Sequence, residues 1–245
     1  MLTSLQRDQQ ISMFLALSEA ETLAEAWQTC ELGTAMVQVC GAMLGLDGWP
    51  TAQEILLVLC ECAETAFCYL PKSETRPQEC VRVSRLWAEG KATVEEVATA
   101  VRAAVGTTGP IARGSPSNAA SELRGAAMWA ATAAYDIAKA TLHAADADKF
   151  AASGDAERAC LYSYFFWCVA NGVIHFSANA AGDAAAFQNK NLAHLVRSRL
   201  HPKGMETYRR VTPTSDDEAL ADSRLREAVR AYKQNPSKSI SKCSP

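Results

Sequence analysis

Apolar residues recur at three- and four-residue steps through most of the chain. In 55–69 the positions Ile55, Val58, Leu59, Cys62, Ala66 and Tyr69 share one side of a helix, and Val81, Leu86 and Trp87 form a similar stripe in the next segment. No segment shows the strict alternation of a half-buried strand. The punctuation agrees with helices. Ser18/Glu21, Thr51/Glu54, Thr93/Glu96 and Ser215/Glu218 each fit the Ser/Thr-x-x-Glu capping box and predict a helix start, while Arg76-Pro77 opens another after a charged turn. Stops are predicted at 45–50, Pro71, Gly90, Gly106, Gly154, Gly182 and Pro202. The pattern predicts an all-α fold, a multi-helix bundle of about nine or ten helices.

The second half has its own character. Residues 126–152 contain 13 alanines in 27 positions, interrupted by Trp129, Tyr135, Leu142 and Phe150. Alanine favours the helix and lets a neighbouring helix approach closely. The aromatic-rich segment 162–176 is expected to fill the space opposite, giving a tight antiparallel pair joined at Ser153-Gly154. The stretch 159–182 has no charged residue and is long enough to span a bilayer, but Asn171, His175, Ser177 and Asn179 would be costly in hydrocarbon. A buried core helix is therefore expected, and no membrane partner.

These features divide the chain into a cysteine-rich helical half at 1–105, a Gly/Pro/Ser linker at 106–117, and an alanine-rich helical half at 118–234 packed on the first. Within the latter, 215–233 places acids early and bases late around Leu220, Leu225, Val229 and Tyr232, as expected of an amphipathic surface helix. The polar tail 235–245 is expected to be disordered.

With 49% apolar residues the 245-residue chain can build a globular core. Its net charge of −3, from 24 basic and 27 acidic residues spread along the chain, offers no electrostatic footprint for nucleic acid. Nine cysteines, most of them in apolar helical segments, and no signal-like start point to buried thiols in a reducing cytoplasm.

Candidate chemistry is sparse. Cys60 and Cys62 point about 200° apart on a helix, so with Cys68 they lack zinc-knuckle spacing and no metal is expected. Neither the four histidines nor any serine falls in a catalytic motif, and the loop 106–117 lacks a phosphate-binding ending, so no cofactor is expected. Asn171, His175 and Asn179 lie at four-residue spacing and can present convergent polar groups. With Trp167, Trp129 and Tyr135 they form a candidate ligand site between the alanine-rich and aromatic helices. Trp87 reads first as a core anchor. With Arg76, Arg82 and Arg85 it also marks a candidate partner-binding region.

Several fragments, AEAWQTC at 24–30, LVLCECAETAFCYLP at 57–71, ETRPQECVRVSRLWAEGKATVEEV at 74–97 and NLAHLVR at 191–197, together with the alanine-rich region, carry a resemblance. In them the chain resembles a family of alanine-rich helical bacterial and phage proteins, largely uncharacterised, some of which are labelled immunity proteins. The resemblance implies an all-α fold and a protein partner, and brings no catalytic residues with it. The expected function is a non-catalytic, immunity- or inhibitor-like helical interaction protein that binds another protein. The alternatives are a small-molecule or peptide binder with a pocket between the alanine-rich and aromatic helices, and, third, an enzyme using His175 as acid or base. Self-association through the alanine-rich helices is compatible with all three.

Overall fold

A computed structural model describes residues 4–105 and 118–209, with the side chains of 4–6 and 118–124 left out. The linker 106–117, the helix expected at 215–233 and the tail 235–245 lie outside the described residues. Among those described there are nine α-helices and no strand: α1 (Ser4–Ser18), α2 (Leu23–Thr29), α3 (Gly33–Ala42), α4 (Ala52–Glu64), α5 (Arg76–Ala88), α6 (Val94–Ala104), α7 (Asn118–Ala152), α8 (Ala156–Asn179) and α9 (Ala185–Arg199). The chain is an all-α multi-helix bundle.

Local chemistry sets most of the helix starts. At α4 and α6 the threonines Thr51 and Thr93 accept the N3 amides, while Glu54 and Glu96 reach back to the cap amides, completing both capping boxes. Pro77 begins α5. The Ser18/Glu21 expectation is corrected. Ser18 is the last residue of α1, its hydroxyl donating to the Phe14 carbonyl at 2.6 Å. The cap of α2 is Thr22, whose Oγ1 accepts the Glu25 amide at 3.2 Å, and Glu25 in turn accepts the Glu21 amide at 3.1 Å. A second correction concerns the end of α4. The helix stops at Glu64 and the chain continues into a single 3-10 turn, Phe67–Tyr69, before Pro71. Gly90 and Gly154, with φ of 71° and 79°, supply the left-handed residues that end α5 and turn α7 into α8.

The centre of the molecule is the antiparallel hairpin of α7 and α8. Helix α7 also packs against α4, α5 and α6, whereas α8 meets α3, α4 and α9. One continuous core joins Phe14, Trp27, Met36 and Leu59 from the first half to Ile137, Phe166, Ile174 and Val196 from the second. A smaller cluster holds Cys80, Val83 and Val97 against Ala138. Trp87, half-buried, packs against both. The alanines let the helices close: Ala130, Ala133, Ala134, Ala138 and Ala140 are all fully buried.

Close approach also requires glycine. A Cβ at Gly41 of α3 would overlap the indole of Trp167, which donates Nε1–H to the Gln38 carbonyl at 3.0 Å. The guanidinium of Arg197 on α9 donates from Nε to the Trp27 carbonyl at 2.7 Å and from a terminal nitrogen to the Cys30 carbonyl. It thereby satisfies the C-terminus of α2. Two fragments quoted above for the family resemblance, 24–30 and 191–197, thus meet in space. Thr22 and Arg209 form an isolated antiparallel bridge, which pins residue 209 beside α2.

Candidate functional site

The α7–α8 hairpin has an outer seam where side chains of the two helices meet at the margin of the main core. Trp129 stacks on Phe176 with ring centres 5.3 Å apart and 10° between planes, and the edge of Phe176 contacts the His175 ring. Asn179 Nδ2 lies in hydrogen-bond contact with His175 Nε2 at 2.9 Å. Further along, His143 lies against Tyr162 and Phe165, and Phe150 stacks on Tyr162 at 5.3 Å. Burial pushes the pKa of His175 and His143 down, with Lys139 adding to the effect at His143. Burial thus favours the neutral form of both histidines.

Asp136 of α7 lies opposite α8 at Gly172. It faces Gly172 so closely that a Cβ there would lie 2.8 Å from its Oδ2. Burial pushes its carboxyl group up to about 6, and the nearby Lys139 offsets this only in part. Sequence reading missed Asp136, because a lone acid in an alanine helix looks like a solvated position; its burial is set by Gly172, far away along the chain.

The residues expected to gather at one ligand site separate into three places. Trp129, His175 and Asn179 share the outer seam. Trp167 is committed to α3 through Gln38, and Asn171 donates to the Trp167 carbonyl of its own helix at 3.0 Å. Its Oδ1 is buried without a hydrogen bond. Tyr135 packs with the cluster of α5 and α6, under Lys139 at 5.6 Å from its ring centre. In the expected partner-binding region Arg76 pairs with Glu74, Arg82 with Glu79 at 2.6 Å, and Arg85 with Glu64 at 2.8 Å. Each of these guanidinium groups is thus engaged within the chain.

A different surface stands out on α8. The expectation of a buried core helix holds for one side only: Phe166, Ala170, Val173, Ile174 and Ser177 face inward. Only 22% of its most apolar 18 residues are buried, although the helix is long and apolar enough to cross a membrane. Its outer side exposes Leu161 at 46%, Tyr164 at 38% and Phe165 at 38%, with Cys168 next in the same stripe. The sequence signal was present in the spacing 161, 164, 165, 168, but an equally apolar inner stripe masked it.

On the opposite flank of α8, the end of the hairpin and the start of α4 enclose an open cleft of about 670 Å³, walled by alanines of α7 and α8 with Phe166 at its floor. Gln53 of α4 donates to Asp148 of α7 across one side at 3.1 Å.

Among the described residues no group of three or more His, Cys, Asp or Glu side chains is placed to hold a metal ion. Burial pushes the thiols of Cys40, Cys60, Cys62 and Cys80 well above the usual thiol range, the reverse of what a nucleophile needs. No disulfide joins the eight described cysteines. Comparison with protein-family models, curated proteins and solved structures finds no match to this chain.

Proposed function

We propose that this chain is a non-catalytic interaction protein that binds another protein through the outer face of α8, in the manner of an immunity or inhibitor protein. The observation that carries this reading is the exposed row Leu161, Tyr164 and Phe165 on a helix whose inward residues, Phe166 to Ser177, join the core. A contiguous apolar row rimmed by polar residues is costly in water and is the usual mark of an interaction surface. Tyr and Phe are among the side chains enriched in such surfaces. Support also comes from the thiols of Cys40, Cys60, Cys62 and Cys80, which burial raises out of the range of a nucleophile. The family resemblance points to the same class of function.

The test is capture from lysate of the producing cells with the wild-type chain and with the double variant Leu161→Glu/Phe165→Glu, both checked by native mass spectrometry. A single stoichiometric protein held by the wild type and lost in the variant, with unchanged melting temperature, supports the proposal. Equal capture by both, or no capture by either, removes it.

A further inference from the structure

We infer that the cleft between the hairpin end and α4 is a binding site for a small organic cation, a primary amine carried on a flat apolar body. This goes beyond the protein-binding proposal and uses the other flank of α8. Its existence follows from composition. Ala144, Ala147, Ala151 and Ala159 line the walls, and side chains this short cannot fill the space between helices that Phe166 and Leu44 hold apart. The resulting volume of about 670 Å³ lies in the range of small-molecule sites.

The polar groups in the lining decide the ligand's chemistry. Asp148 is the one formally charged side chain among the lining residues. Its Oδ2 accepts the Gln53 amide, and Oδ1 has no hydrogen bond among the described residues. Ser163 spends its proton on the Ala159 carbonyl at 2.8 Å and offers the cleft only lone pairs. Thr51 is consumed by its capping box with Glu54. Gln53 has its amide nitrogen on Asp148, which leaves its carbonyl oxygen as an acceptor.

Beside the Cys160 thiol, the side chains of the cleft therefore present acceptors and one negative charge, that of Asp148 at its exposed edge, and no basic side chain lines it. Two bases close in sequence to the lining residues are turned to other partners. Lys149 and Arg158 lie 5.8 and 5.3 Å from the Phe150 ring centre, and Arg158 also pairs with Asp155 at 3.5 Å. Smooth alanine walls suit a planar ring, and the acceptors suit an ammonium group at its edge.

The test uses three probes of one shape: tryptamine, 3-ethylindole and indole-3-propionate, titrated into the full chain by isothermal calorimetry and by amide chemical-shift mapping. Tryptamine is expected to bind at least about tenfold more tightly than indole-3-propionate, with 3-ethylindole between them. Shifts should centre on Gln53, Ala147 and Ser163. Asp148→Asn, which keeps an acceptor for Gln53, should reduce the preference for tryptamine to near unity. Ala147→Leu should block all three probes.

Equal binding of the probes, shifts centred elsewhere, or no binding at low-millimolar concentration would overturn the inference. The amide spectrum of each variant, compared with wild type, separates loss of the site from loss of the fold. Leu161→Glu/Phe165→Glu, on the opposite flank, should leave tryptamine binding unchanged. The inference and the protein-binding proposal can therefore fail independently.

Discussion

Asp136 shows how one half-buried carboxyl group, desolvated by its neighbours, can set the pH response of a helix pair. Its carboxyl rises from an ordinary value of 3.8 to about 6 because burial disfavours the anion and Lys139 offsets only part of that. Below pH ~3.8 the acid is protonated whether the chain is folded or not, so it contributes nothing to pH dependence there. Between that value and about 6 the folded chain keeps a proton the unfolded chain has lost, and stability falls as pH rises. Above about 6 the full cost remains, at most about 3 kcal/mol. Asp136→Asn should therefore stabilise the protein at pH 7.5 by about 1 to 3 kcal/mol, with the gain shrinking toward pH 4. Urea unfolding at several pH values measures this.

His143 and His175 act with the opposite sign. Their folded values are depressed by burial, so stability is complete above their unfolded value near 6.5 and is lost as pH falls through the folded values. In wild type the two trends oppose one another. In Asp136→Asn the histidine slope should stand alone, as a steeper loss of stability on acidification from pH ~6.5.

At Arg197 the geometry itself is the function of the side chain. Two carbonyls at the end of α2 receive separate arms of one planar fork, which a lysine cannot reproduce. Arg197→Lys should cost about 1 to 3 kcal/mol, seen as a lower melting temperature with an unchanged helical spectrum at room temperature.

At the level of elements, α8 carries two apolar stripes with different roles. Phe166 is 1% exposed and Phe165 38% exposed, although they are neighbours in sequence. Phe166→Ala should cost about 3 to 5 kcal/mol because it opens a cavity in the shared core. Phe165→Ala should cost under about 1 kcal/mol and act on partner capture instead. Similar losses at both positions would show that the outer stripe is covered within the chain.

The same element explains what could and could not be read in advance. Capping boxes at Thr51 and Thr93 were legible because their partners lie three residues away. Ser18 misled because Thr22, four residues on, caps α2 instead, its Oγ1 accepting the Glu25 amide. The two faces of α8 were not separable, since a helix apolar all round has no preferred side until its neighbours are known. The spacing of Asn171, His175 and Asn179 was legible, but not their uses, which depend on Trp167, Phe176 and Trp129.

At the scale of the whole molecule, the cysteine-rich and alanine-rich halves share their core. Phe14, Met36 and Leu59 belong to the same cluster as Ile137, Phe166 and Val196, and α7 is packed by α4, α5 and α6 of the other half. Neither half buries these residues without the other, so their opening must be coupled. Native-state hydrogen exchange reads this directly. The slowest amides of α4 and of α7 should report one common opening free energy, and Phe166→Ala should lower both by the same amount. If the amides of α4 kept their protection while those of α7 and α8 lost it, the halves would be separate folding units. The outer seam at Asp136 should follow the same opening, because Gly172 and Asp136 separate only when α7 and α8 do. In Asp136→Asn the slowest exchange in α4 should accordingly become slower at pH 7.5, a distant response that a purely local effect on the hairpin would not produce.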